Sequence, residues 1–115
     1  CSSTFTGLLK ELQSLGSRLD IGLSYDEYTN AVGDVKVVYD QTDFAGLDDL
    51  DCLSAAGLPL ERALNQYVKA SNVWGACFDD YACSNDSIRP ELQKHWSKAS
   101  ASVELADGGL ADMEP

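Results

Sequence analysis

Apolar residues recur at alternating three- and four-residue steps along four separate stretches of this chain. That spacing admits little besides amphipathic helices packed along a seam. Phe5, Leu8, Leu12, Leu15 and Leu19 make the first stripe, widened by Leu9. Tyr25, Tyr28, Val32, Val35 and Tyr39 make the second. The third is the longest, running Leu60, Leu64, Tyr67, Ser71, Trp74, Phe78 and Tyr81, with Ala63, Ala70 and Cys77 beside it. Leu92, Trp96, Ala99, Val103, Ala106 and Leu110 make the fourth. Links are short between the first and second stripes and between the third and fourth. The expectation is an all-α fold, an up-down four-helix bundle. With 115 residues, residues 1–115 suffice for one core and are too few to split, so they read as a single helical domain.

Chemical markers set the boundaries. Ser24-x-x-Glu27 matches a capping box, in which each side chain satisfies a backbone N–H at the helix start. Pro59 fits the first turn of helix three, where its missing N–H costs nothing. Ser87 is the expected N-cap of helix four, with Pro90 still in its first turn. Gly108-Gly109 is expected to end that helix, leaving a frayed tail from about residue 108. Gly33 interrupts helix two, and the β-branched "VKVVY" that follows would also suit a strand. The five-member stripe keeps the segment helical, and Gly33 is read as a place where a neighbouring helix comes close. Residues 41 to 58 form one long acidic connection between helices two and three. It has room for a short helix with Leu47, Leu50 and Leu53 turned inward.

Four cysteines stand at positions 1, 52, 77 and 83. Structural zinc sites usually pair cysteines two to four residues apart, and thioredoxin-type redox pairs are C-x-x-C; neither spacing occurs. An even count at irregular spacing points to disulfides in an oxidising compartment, with buried free thiols and a metal as the competing readings. In a continuous helix Cys77 and Cys83 would lie ~9 Å apart along the axis, more than a disulfide tolerates. Their pairing therefore requires helix three to end between them, and "SNDS" directly after Cys83 permits it. An up-down layout brings Cys1 and Cys52 to the same end of the bundle, so that pair follows by topology.

Catalytic and metal signatures are sparse. Di-iron bundles need two Glu-x-x-His motifs, whereas the one histidine here, His95, follows Glu91 by four residues. A Cys-His nucleophile would need a free thiolate. No G-x-S-x-G, phosphate loop or H-E-x-x-H is present. An EF-hand register starting at Asp80 reaches Glu91 but puts Ala82 and Asn85 at key positions. Asn85-Asp86-Ser87 matches a glycosylation sequon, a common chance pattern. Trp74, Trp96, Tyr28 and Tyr67 lie on the seams, where core packing is the default and a ligand cavity the alternative. No cofactor, catalytic residue or metal ligand is assigned.

The net charge is −11, from 19 acids against 8 bases. Such a domain repels nucleic acid and anionic membrane and suits a basic protein or a divalent cation. No apolar run approaches the ~18 residues of a membrane-spanning helix, and no signal peptide is visible. Acids concentrate in the long connection, where Asp43, Asp48, Asp49 and Asp51 form the candidate binding surface.

The stretch "ALNQYVKASNVWGACFDDYACSNDSIRPELQKHWSKAS" resembles small, largely uncharacterised actinobacterial secreted proteins and lipoproteins with a Y-x-x-A-x-x-x-W-x-x-C signature. The matching residues are Tyr67, Ala70, Trp74 and Cys77, with the second sulfur at Cys83, within residues 60 to 106. The resemblance implies export and brings no activity, cofactor or site with it. Cys1-Ser2-Ser3 also looks like the start of a processed bacterial lipoprotein, whose first cysteine carries the lipid. The only membrane attachment expected is such a lipid, and a lipidated Cys1 would leave Cys52 the odd sulfur. The functional expectation is a non-enzymatic, extracytoplasmic domain, secreted or lipid-anchored, that binds a protein or ligand at the cell envelope. The alternative is an acidic immunity or inhibitor-type protein that neutralises a basic enzyme.

Overall fold

In the computed structural model, which describes residues 1–113, every regular element is helical. Helix α1 spans Ser2–Ile21, α2 Tyr25–Gln41, the short α3 Leu50–Cys52, α4 Leu58–Asp79 and α5 Asn85–Met113. A π-helical turn, Leu53–Gly57, joins α3 to α4 without a break. The four long helices enclose one apolar core in a body measuring 52 × 22 × 21 Å.

The stripes supply that core. Phe5, Leu8, Leu12 and Leu15 come from α1, Tyr28 and Val35 from α2, Leu60, Leu64 and Tyr67 from α4, and Leu92, Val103 and Leu110 from α5; all are buried. Trp74 and Trp96, expected inside, are half-buried and pack against the core's edge. Phe78 and Tyr81 depart further, at 60% and 101% exposure. Helix α4 ends at Asp79, so Tyr81 leaves the helical face, and Phe78 lies in the last turn with the Tyr25 ring against one side.

At one end of the molecule Cys1 is bonded to Cys52, and its sulfur lies 3.8 Å from Met113 Sδ. The start of α1, the start of the α3–α4 run and the end of α5 therefore meet there. Toward the other end the ring of Tyr25, at the start of α2, packs tilted against Phe78 near the end of α4, with ring centroids 4.7 Å apart. Cys77 and Cys83 are bonded across the α4–α5 turn, with Cα atoms 5.2 Å apart. That geometry is reachable because the helix stops at Asp79; Asp80 then accepts from Ala82 N–H through Oδ1 and from Cys83 N–H through its carbonyl.

The capping box at Ser24 and Glu27 is present in full. Its hydrogen bonds from Ser24, backbone first, lower the Glu27 carboxyl below its ordinary range. Helix α2 runs unbroken through Gly33, but no neighbour lies within 4 Å of a side chain placed there. Gly33 is therefore not a close-approach site. The cap of α5 also differs from expectation. Ser84, not Ser87, takes the Ser87 N–H through its hydroxyl and its carbonyl, so the helix starts at Asn85 and Pro90 lies inside it.

The long connection is shorter than expected. Only residues 42–49 of it are non-helical, because Asp49 caps a helix from Leu50 by accepting from the Asp51 and Cys52 N–H groups. Leu50 points outward at 72% exposure, while Cys52, Ala56 and Gly57 take the buried positions. Pro59 explains the π turn. It has no N–H to give the carbonyl four residues back, and its ring crowds that carbonyl, which belongs to Ala55. The ladder shifts by one residue, and Leu58 N–H bonds to Leu53 O.

The displaced Ala55 carbonyl meets α5 at Gly109, where any Cβ would collide with it. Gly108-Gly109 thus does not end α5, and the tail expected to fray from residue 108 is helical as far as Met113, with Leu110 buried. Gly109 is a contact residue: only a bare backbone fits against the π turn. Gly109→Ala is expected to cost about 1–3 kcal/mol, the range for forcing extra volume into a packed contact. Gly108→Ala, with open space at its Cβ, should stabilise the helix slightly. Urea midpoints of the two variants should move in opposite directions.

Candidate functional site

The acids expected to form a binding surface on the connection between α2 and α4 are partly engaged in local hydrogen bonds. Asp43 Oδ1 accepts from Gly46 N–H at 2.8 Å, and Asp49 is occupied as the α3 cap. Asp48 and Asp51 are exposed, Asp51 within the short helix α3. Among the described residues no group of three or more His, Cys, Asp or Glu is arranged to hold a metal ion. His95 Nδ1 lies 2.7 Å from Gln66 Oε1, which ties α5 to α4.

A concavity lies elsewhere, between α1 and α5, with a volume of about 750 Å³. This is within the range of small-molecule sites. On the α1 wall, Gly16 and Ser17 leave room where the first stripe would otherwise fill it, with Leu12 and Leu19 below and Asp20 at the edge. On the α5 wall, Ser97 and Ser100 face them, with Trp96 and Val103 below and Glu104 and Asp107 at the edge. Gln13 and Gln93 complete the polar rim, and neither lysine nor arginine is among the lining residues. Small residues on both facing helices leave the space between the walls unfilled, while α4 and α5 pack closely beneath.

Tyr67 of α4 forms the floor. The residue is only 2% exposed, and its hydroxyl faces the groove opposite Gly16, where a Cβ would stand 3.6 Å away. Burial, reinforced by the nearby Asp20 carboxylate, pushes its phenol up to about 12. Behind it the aromatic cluster is well connected. Tyr28 O–H donates to the Tyr67 carbonyl at 2.7 Å and accepts from Trp96 Nε1–H at 3.0 Å. Trp74 packs edge-on to Trp96 with its own indole N–H buried and unpartnered. Burial also raises the Tyr28 phenol far above its ordinary range, against the opposing effect of the Trp96 bond.

These two phenols make stability fall at alkaline pH. In the unfolded chain both lose protons near pH ~10, whereas the native state holds them to higher pH. The unfolded state then binds fewer protons, so the full stabilisation below pH ~10 is lost as pH rises toward ~12, at up to ~1.4 kcal/mol per unit for each phenol. Urea midpoints measured across that window, followed alongside tyrosinate absorbance, should show the decline.

The groove's own residues carry little signal in the sequence. Tyr67 reads as core, while Gly16, Asp20 and Glu104 fall outside every motif. The usable signal was the run of small residues "SKASAS" at 97–102 opposite Gly16-Ser17, which leaves two helices without side chains to close on each other. Comparison with family models, curated proteins and solved structures returned no match, so the chemistry of the groove stands on its own geometry.

Two disulfides and no free cysteine among the described residues suit an oxidising, extracytoplasmic compartment. Among the described residues no helix is long and apolar enough to cross a membrane.

Proposed function

We propose that this chain is an extracytoplasmic binding domain of the cell envelope, an up-down four-helix bundle that holds a ligand in the groove between α1 and α5. The observation that carries this reading is the groove itself, about 750 Å³ in volume, with the Tyr67 hydroxyl opening onto it from the floor. A hydroxyl held by the fold at the floor of a concavity is a placed polar group to which a bound molecule can hydrogen-bond. A volume of about 750 Å³ is in the range of small-molecule sites, and the many polar and acidic groups of its lining suit a polar, cationic ligand. The resemblance of residues 60 to 106 to actinobacterial secreted proteins and lipoproteins agrees with export. A lipid on Cys1 and the Cys1–Cys52 bond use the same sulfur and exclude each other, which favours the secreted form over the lipid-anchored one.

The test is native mass spectrometry of the disulfide-bonded chain after incubation with an envelope extract, beside Gly16→Leu, which fills the groove. A small-molecule adduct on the parent chain and none on the folded variant is the expected result. An equal adduct on both would place binding elsewhere, and none on either would remove the groove from consideration as a binding site.

A further inference from the structure

The groove's charges are arranged as two poles rather than one patch. Cys1 and Met113 meet at one end of the molecule, so α1 and α5 run in opposite directions along the groove. Asp20, near the end of α1, therefore stands toward the start of α5, away from Glu104 and Asp107. Counting about 1.5 Å of rise per residue from the shared end, Asp20 and Glu104 are set about 15 Å apart along the groove. Leu12, Leu19, Val103 and Trp96 lie between as an apolar floor, and the acceptors Ser17, Ser97, Ser100 and the Tyr67 hydroxyl occupy the same interval. A ligand that satisfies all of this is long and flexible, cationic at both ends, and aliphatic with hydrogen-bond donors in between.

We propose that the groove binds a linear aliphatic polyamine of about spermine's length. Its terminal ammonium groups meet Asp20 at one pole and Glu104 with Asp107 at the other, and the Tyr67 hydroxyl accepts from an internal ammonium N–H. This rests on the reading of the groove as the binding site and names its occupant. Acceptors match each part: carboxylates take the strong charge-assisted bonds, hydroxyls take the inner donors, and the methylene segments lie on the apolar floor. A single acidic pole would suit any amine, but two poles set apart by the groove favour a long one over a short one.

The experiment is an amide NMR titration, with calorimetry, of the intact disulfide-bonded chain. The probes are spermine, putrescine, an oligoethylene glycol of spermine's length, a linear dicarboxylate and an oligolysine peptide. Spermine should shift amides on both groove walls and bind at least about tenfold more tightly than putrescine, with affinity falling as salt rises. Asp20→Asn and Tyr67→Phe should each weaken it several-fold while preserving the rest of the spectrum. Asp34→Asn removes the same charge from an exposed position on α2 and should leave affinity nearly unchanged. Equal weakening by Asp20→Asn and Asp34→Asn would mean attraction to net charge alone, and the proposal would be overturned. Occupation of the groove by the glycol or the dicarboxylate as tightly as by spermine would overturn the polyamine while leaving the groove a binding site. Oligolysine binding more tightly than spermine would assign the ammonium groups to a protein partner and likewise overturn it. If no probe moves a groove amide the polyamine is wrong; the groove itself falls only if the extract also leaves no adduct.

Discussion

Replacing Cys1 and Cys52 together by alanine should lower stability by about 4 kcal/mol, close to twice the ~2 kcal/mol expected for the Cys77 and Cys83 pair. The asymmetry follows from loop length. The first bridge closes a separation of 51 residues and the second a separation of 6, so the first removes far more freedom from the unfolded chain. The native state adds to the difference. Cys52 is fully buried at the junction of α1, the π turn and α5, whereas Cys83 lies in a solvent-facing turn. Paired denaturant curves for the two double variants would check the ratio. Peptide mapping without reduction provides the independent control, since a Cys52–Cys77 link would contradict both the layout and the energies. If the 77–83 variant proved the weaker protein, the α4–α5 turn would be setting the fold more than the tether at the other end does.

Sequence periodicity carried the helices and most of the core because a stripe at 3.6-residue spacing has one favourable use, burial against other stripes. Local capping chemistry was equally readable at Ser24–Glu27, where two side chains and two N–H groups a few residues apart decide the outcome. What escaped depended on partners distant in the chain. Pro59 marks the first turn of a helix from sequence alone, but its effect on the Ala55 carbonyl matters only because α5 passes there. Gly109 looks like a helix stop until that carbonyl is known to face it. Leu50 has the spacing of an inward residue, and the π turn, by adding one residue to the turn, rotates the face that α4 buries relative to α3. The groove was the least legible feature. It exists where side chains are missing from two helices at once, and a hydrophobic pattern records the residues that fill space rather than those that leave it open. The acids of the connection drew attention by density, yet Asp43 and Asp49 are spent on local backbone N–H groups.

The largest single-residue effect is expected at Tyr28. It is fully buried, its ring packs at 5.7 Å from both Trp74 and Trp96, and its hydroxyl joins α2 to α4 and α5. Tyr28→Ala should cost about 4 kcal/mol, the middle of the range for truncating a buried aromatic. Tyr28→Phe keeps the ring and isolates the hydroxyl. It leaves the Trp96 N–H without its acceptor, and an unsatisfied half-buried donor costs about 1–3 kcal/mol. Trp96→Phe on the Tyr28→Phe background should then cost less than on the parent chain, because the donor it removes already has no partner, so the two losses do not add. Trp74→Phe is the contrasting case. Its indole N–H is buried with no acceptor in the native state, so removing it relieves a desolvated group and should offset much of the lost ring area. Thermal or denaturant midpoints of these variants decide between a hydrogen-bonded cluster and simple ring packing: equal losses for Trp74→Phe and Trp96→Phe would mean that the Tyr28 hydroxyl contributes little. The same chain of bonds ends at the Tyr67 carbonyl, one residue's backbone away from the groove floor. Tyr28→Phe should therefore loosen the seat of the Tyr67 ring and weaken groove binding without touching a groove atom, an effect that ring packing alone would not produce.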